Sequence, residues 1–248
     1  MHAWDCGREL KREFVQDGTS TTSRSSCCQL PYALIFSLLQ PLLHYQYHRS
    51  SFASTVRIRR VTTPVTVPTG YKANLNQLLL PLSFHANTVV DNGFYSSSYG
   101  ENPDKVNAIA LCRGDLNPDV CRNCLNASKY FLPTQLCPNQ KEAIALYDEC
   151  FLRYSSRTIF SSIENTPEFV WTNVYNILDD AKVEFHGQLL RLFQGLTDRA
   201  AAGGSLSKFA VGHTPAPRFQ TIHALVQCTP DLSQQDCKYC LSGALQIL

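Results

Sequence analysis

The sequence predicts a chain of mixed helix and strand built as two tandem units, the second of them truncated. Three observations carry this. First, CRGDLNPDVCRNCL at 112–125 and CTPDLSQQDCKYCL at 228–241 both carry C-x8-C-x2-C, and Cys112/Cys228, Asp115/Asp231, Leu116/Leu232, Cys121/Cys237, Cys124/Cys240 and Leu125/Leu241 agree at one offset of 116 residues. Second, an amphipathic helix, strands and a cysteine-bearing helix follow in the same order in each half. Third, 248 residues suffice for two domains of ordinary size, each with a modest core.

Residues 1–29 are polar and rich in Ser and Thr, and are expected to be a disordered extension. Residues 30–43, LPYALIFSLLQPLL, form an apolar run of 14 residues preceded by Arg8, Lys11, Arg12 and Arg24. The run is short for a membrane span and suits the core of a signal peptide, with a buried helix as the competing reading. Residues 30–49 are therefore expected to be a leader and its cleavage region, with no membrane span after it. Residues 50–70 read as irregular.

The first domain is expected over 71–160. YKANLNQLLLPLS (71–83) puts Leu75, Leu78, Leu79 and Leu82 on one helical face. NGFYSSSYG (92–100) reads as turn, strand, turn, and VNAIALC (106–112) as a buried strand. Asn117-Pro118 is a helix start, with Asn as N-cap and Pro at the first helical position. EAIALYDECFLRYS (142–155) reads as one long strand that alternates at period two. A linker is expected over 161–182 and the second domain over 183–248. There VEFHGQLLRLFQGL is a helix broken by Gly203-Gly204. KFAVG and FQTIHALVQC are strands, and LSQQDCKYCLSGALQIL is the matching helix with Ser233 as N-cap. Nothing after it corresponds to residues 137–155, so the second unit is expected to lack a strand and to leave a sheet edge unpaired.

Eleven cysteines admit a disulfide framework, a metal site or a redox site. A zinc knuckle needs a second ligand pair nearby, and neither C-x2-C helix has one. A redox C-x-x-C does not explain the third cysteine upstream. A Cys112–Cys121 bridge would tie strand end to helix start, and a Cys124–Cys150 bridge would tie helix to strand. Disulfides explain most of the pattern. No metal site and no cofactor are expected.

These residues resemble the plant ginkbilobin-type domain, also called the cysteine-rich repeat or salt-stress-response/antifungal domain. It occurs in tandem in cysteine-rich repeat secretory proteins, plasmodesmata-located proteins and the ectodomains of cysteine-rich receptor-like kinases. Beyond the cysteines, YKANLNQLL, GFY, DKVNAIALCRGD, CPNQKEAIALYDECFLRYS and LVQCTPDLS are similar to family phrases, over about residues 71–248. The resemblance implies an α+β fold, each unit an antiparallel sheet with helices packed on one face, stapled by disulfides. It implies bridges Cys112–Cys121 and Cys124–Cys150, and by repetition Cys228–Cys237. Family members pair a cysteine near the domain start with the one matching Cys137. None lies between residues 29 and 111, so Cys137 is expected to lack its bridge, and Cys240 to lack one with the missing segment.

No catalytic constellation stands out, and a formal charge of +2 points to no nucleic-acid partner. His2, His44, His48, His85, His186, His213 and His223 form no metal or nucleophile pattern. Arg113-Gly114-Asp115 reads as a turn. Asp148 and Glu149 would face opposite sides of a strand. Asn126-Ala127-Ser128 is the glycosylation sequon. The first functional expectation is a secreted, non-enzymatic recognition or defence protein of the apoplast, meeting a cell-wall glycan or an extracellular protein. A second is a mannose-binding antifungal lectin. The family's mannose-binding Arg and Glu positions fall on Ile144 and Ser155, and the Asn position is missing with its cysteine, which speaks against a sugar site. A third is a fragment of a receptor-like kinase, and with no Gly-rich loop, H-R-D or D-F-G no kinase activity is expected of this chain. The incomplete second unit suggests a homodimer.

Residues 53–69, ASTVRIRRVTTPVTVPT, fit no family phrase. Read one base earlier, the stretch can become CVNSANTAGDYTGNSTY, which resembles the family's opening phrase and puts a cysteine at the position of Ala53 as the partner of Cys137. A frameshift or misplaced exon boundary is therefore inferred, with residues 50–69 expected as poorly packed coil. Sequencing the transcript across these codons is expected to show the shift, and a transcript in the written frame would remove it.

Overall fold

The computed structural model describes residues 34–37, 57–60, 67–83, 93–163, 179–204, 207–218 and 220–245. The expected disordered extension, Cys6, Cys27 and Cys28, most of the leader and most of the linker lie outside them. The order is β1 (Leu34–Ser37), β2 (Arg57–Arg60), α1 (Thr69–Leu79), β3 (Phe94–Tyr99), β4 (Val106–Cys112), α2 (Pro118–Phe131), β5 (Glu142–Leu146), β6 (Cys150–Ser155), α3 (Lys182–Ala201), β7 (Lys208–Ala216), β8 (Gln220–Cys228) and α4 (Gln234–Leu245). The class is α+β. The chain divides into two compact units: Ser54–Phe160 lies in the first, Ser25–Ala53 and Ser161–Leu248 in the second.

In the first unit five antiparallel strands stand in the order β2-β5-β6-β4-β3. Ala108, Ala110, Ala143 and Ala145 share one face with Leu152 and Tyr154, and this face carries the core with Tyr71, Leu75, Leu78 and Leu79 of α1 and Leu125 of α2. Small alanines let the helices approach the sheet closely. The hydroxyls of Tyr71 and Tyr95 are driven above their ordinary range chiefly by burial. Each still donates, Tyr71 to the Lys141 carbonyl and Tyr95 to the Leu78 carbonyl, both at 2.5 Å. Gly100 sits at φ 76°, and a Cβ there would lie 2.2 Å from the Asn74 amide, so this turn after β3 requires glycine.

Residues 142–155 are not one strand. They form a hairpin, β5 and β6, closed by the Tyr147 N–H donating to the Cys150 carbonyl at 2.9 Å. Asp148 is a turn residue, and every position of both strands is buried, so period-two alternation carried no information here. Asp148 and Glu149 thus occupy a turn and not opposite strand faces. The expectation of coil over 50–70 is corrected in two places: Arg57–Arg60 pair with Arg60↔Ala143 to Arg57↔Leu146 of β5, and α1 begins at Thr69. An edge strand with free backbone groups accepts any extended neighbour. The rest of that segment lies outside the described residues.

In the second unit α3 runs to Ala201 and stops just before Gly203-Gly204, the break expected for it. Phe193, Leu196 and Ala200 pack on Ala224, Val226, Cys237 and Leu241. Lys208, buried, donates from Nζ to the carbonyls of Gly203 at 2.8 Å and Ala201 at 3.4 Å. A cation at a helix C-terminus satisfies carbonyls that the helix leaves open.

The sheet order here is β1-β8-β7. β4 pairs Ala108 with Tyr154 and Ile109 with Arg153, while β8 pairs Ala224 with Ile35 and Leu225 with Leu34. Ala224 and Leu225 are the counterparts of Ala108 and Ile109 at the repeat offset of 116. β1 therefore lies on β8 in the place that β6 takes on β4, and the β8 edge expected to be open is paired. No counterparts of β5 and β6 follow α4 among the described residues. Deleting residues 34–37 is expected to lower hydrogen-exchange protection across β8 and leave β4 and β6 unchanged; equal protection with and without them would contradict this pairing.

Candidate functional site

The first unit is organised around the corner where β4 ends and β6 begins. Cys112 and Cys150 are register partners on adjacent strands. Cys121 and Cys124, three residues apart on α2, share a helix face above them. The bridges are Cys112–Cys121, with Cα atoms 5.6 Å apart, and Cys124–Cys150, 6.1 Å apart. α2 is set in place by its start: the Asn117 side chain accepts from the Asp119 N–H at 2.9 Å, and Pro118 occupies the first turn. Ser128 is buried beside the second bridge and donates to the Cys124 carbonyl at 2.8 Å.

The second unit repeats the corner. Cys228 and Cys237 are bridged with Cα atoms 5.8 Å apart, and Ser233 caps α4 by accepting from the Asp236 N–H at 3.0 Å. Cys240, expected to lack a partner, is disulfide-bonded and buried. That expectation rested on a missing segment after α4, which is not the sole source of a partner in a chain of eleven cysteines. Cys137 is buried below the corner, its N–H donating to the Leu132 carbonyl at 2.8 Å and its carbonyl accepting from the Tyr154 hydroxyl at 3.5 Å.

A second constellation, which the sequence reading did not single out, lies on the sheet face opposite the helices. Glu142 of β5 is buried and accepts from Arg153 Nη2 at 2.5 Å and from Arg157 Nε at 3.0 Å and Nη2 at 2.8 Å. Glu142 and Arg153 are almost fully buried, at 5% and 3% side-chain exposure, whereas Arg157 keeps 48%. The Asn107 amide nitrogen donates to the Arg157 carbonyl at 2.9 Å, and the Ser155 hydroxyl accepts from the Arg157 N–H at 3.1 Å. The cluster ties the chain leaving β6 back onto β5 and β4. Two charged residues inside otherwise apolar strands were the available signal.

The candidate sugar positions fall inside this region. Ile144 and Ser155 are both buried, at 1% and 0% exposure, so neither presents a group to a ligand. Arg113 and Asp115 pair with each other at 2.7 Å in the turn before α2, and Arg113 Nη1 also donates to the Asp148 carbonyl. Asn126 is exposed on α2, while Ser128 of the same sequon is buried. Among the described residues no group of three or more His, Cys, Asp and Glu could hold a metal ion, and no helix is long and apolar enough to cross a membrane.

The salt stress response/antifungal family profile matches residues 60–157 and 173–248. The cysteine-rich receptor-like protein kinase 26 of Arabidopsis thaliana is 42% identical over 219 residues, covering 85% of this chain and 32% of that protein. Cysteine-rich receptor-like protein kinase 8 of the same plant is 38% identical, and the match covers 26% of its length. The chain thus spans about a third or less of these kinases. Cysteine-rich repeat secretory protein 38 of Arabidopsis thaliana is 38% identical over 71% of this chain and 67% of that protein. The tandem DUF26 ectodomain of the Arabidopsis thaliana cysteine-rich receptor-like protein PDLP8 superposes with a TM-score of 0.62 at 19% identity, over 76% of this chain and 83% of that one. The corresponding PDLP5 ectodomain gives 0.58 at 20% identity, over 76% and 85%.

Two stability measurements follow from this geometry. Glu142→Ala strands two guanidinium groups, one fully buried, and is expected to cost about 3–5 kcal/mol in denaturant unfolding, where a loss below about 1 kcal/mol would show the cluster to be solvated. Replacing Cys124 and Cys150 together by Ser is expected to cost about 2–4 kcal/mol, read as a lower unfolding midpoint under oxidising conditions.

Proposed function

The chain belongs to the salt stress response/antifungal domain family, and from this we propose that it is a non-enzymatic recognition module acting outside the cell, with a stress or defence role. The observation that carries the reading is the disulfide corner: bridges between strand ends and α2 are stable outside the cell and out of place in a reducing cytosol. The described polar clusters are ion pairs and caps, and Glu142, the most buried carboxylate among them, is neutralised by two arginines. Such an arrangement holds the strands and the chain after β6 together.

Two alternatives are weighed against this. Mannose recognition is disfavoured by the burial of Ile144 and Ser155, because a sugar site needs accessible polar groups that fork onto hydroxyls. A kinase-less portion of a cysteine-rich receptor-like kinase is supported by the 42% identity to one such protein, and it leaves the module's role unchanged. The partner proposed is an extracellular protein or a cell-wall glycan.

Export through the apolar leader and pairing of residues 34–37 with β8 exclude each other in one molecule. We propose that the exported form begins beyond residue 49 and offers the uncovered β8 edge to a second copy. Expression of the tagged chain in leaves, followed by analysis of the apoplastic wash, tests the whole reading. The chain is expected in the wash, with Cys112–Cys121 and Cys124–Cys150 recovered as linked peptides and with a dimer mass by light scattering. Retention in the cytosol with reduced thiols would overturn it. Calorimetry with millimolar mannose is expected to give no saturable heat.

A further inference from the structure

The repeat places one pair of residues at the same point in both units and gives it opposite surroundings. In the first unit Asn107 of β4 faces Ser98 of β3, and the Ser98 hydroxyl donates to the Asn107 side-chain oxygen at 2.7 Å. Asn107 is 1% exposed, held by the Arg157 carbonyl. Its counterpart at the repeat offset is His223 of β8, whose facing partner is His213 of β7. No counterpart of Arg157 follows α4 among the described residues, and both histidines are exposed.

Their direction is fixed by their neighbours. A Cβ on Gly212 would touch Leu192, Leu196 and Arg199 of α3, so Gly212 faces the helix and His213 faces away from it. His223 lies between Ile222 and Ala224, which are 0% and 2% exposed and point inward. The two imidazoles therefore stand side by side on the outer face, with ring centroids 5.6 Å apart and planes inclined by 35°.

We propose that His213 and His223 form a two-imidazole site for a divalent transition ion of the Cu2+, Ni2+ and Zn2+ class. With a metal–nitrogen distance of about 2.0–2.1 Å, a ring centroid lies roughly 3.2 Å from its ion, so two imidazoles on one tetrahedral centre have centroids roughly 5 Å apart. The observed 5.6 Å lies close to this separation. Imidazole is a ligand that all three ions accept, with Cu2+ bound most tightly, and water completes the coordination shell. A pair held at fixed separation on paired strands binds as a chelate, because the second imidazole is already in place when the first engages.

The test is a calorimetric titration of the full chain with ZnCl2, NiCl2 and CuCl2 in a non-coordinating buffer. One saturable site in the micromolar range is expected, with Cu2+ tightest. His213→Gln and His223→Gln should each weaken it by at least about tenfold, because only one arm of the chelate remains. His186→Gln, at an exposed position of α3, should leave it unchanged, and circular dichroism checks that each variant folds. In NMR spectra Ni2+ should broaden the signals of 211–215 and 221–225 first. Wild-type affinity in either strand variant, or broadening centred elsewhere, overturns the assignment.

Discussion

The fold hangs on two disulfides that converge from neighbouring strands onto one helix. Cys112 and Cys150 face each other across β4 and β6, and Cys121 and Cys124 look down from positions three residues apart on α2. The C-x2-C spacing has its meaning here: three residues along a helix match the step from one strand to the next. A bridge within C-x2-C would constrain one helical turn, whereas these two fix the helix against the sheet in position and in rotation. The alanines of the sheet face can then be small, because the helix is not free to drift from them. Cys228–Cys237 repeats half of the device at the same span.

The opposite face of the same sheet is built by different physics. Glu142, Arg153 and Arg157 form a charged knot among buried apolar residues. Such a knot adds less stability than well-packed hydrocarbon would, but it is costly to break and admits one strand register. A slip of one residue along β5 would carry Glu142, and along β6 Arg153, into the alanine-lined core.

Much of this was legible in the sequence. β4 was readable from its apolar run, interrupted only by Asn107, α2 from Asn117-Pro118, and α4 from Ser233, because caps and runs are local signals. The repeat offset supplied the tandem architecture, and the cysteines of the first corner were visible as a set. What failed was non-local. The β5–β6 hairpin was read as one strand because burial on both faces erases alternation, although Asp148 marked the turn. The pairing of Leu34–Ser37 with β8 joins segments far apart in the sequence, which no window of residues displays, and the disulfide at Cys240 was missed as well. The Glu142 knot was missed because its partners lie on two strands and a following loop.

The pairing of β1 with β8 also sets an order in time. Ser54–Phe160, the bulk of the first unit, lies between the two stretches that make up the second. It can fold as the chain emerges from the ribosome, since all its partners are then present. The second unit cannot, because Leu34 must wait for Leu225, which is made only after the whole of Ser54–Phe160. On the proposed export, a leader removed during synthesis is gone before β8 exists, and the two strands never meet. A chain that keeps its N-terminus closes on itself. Whether residues 34–37 stay on the chain would then decide which of two forms one sequence adopts.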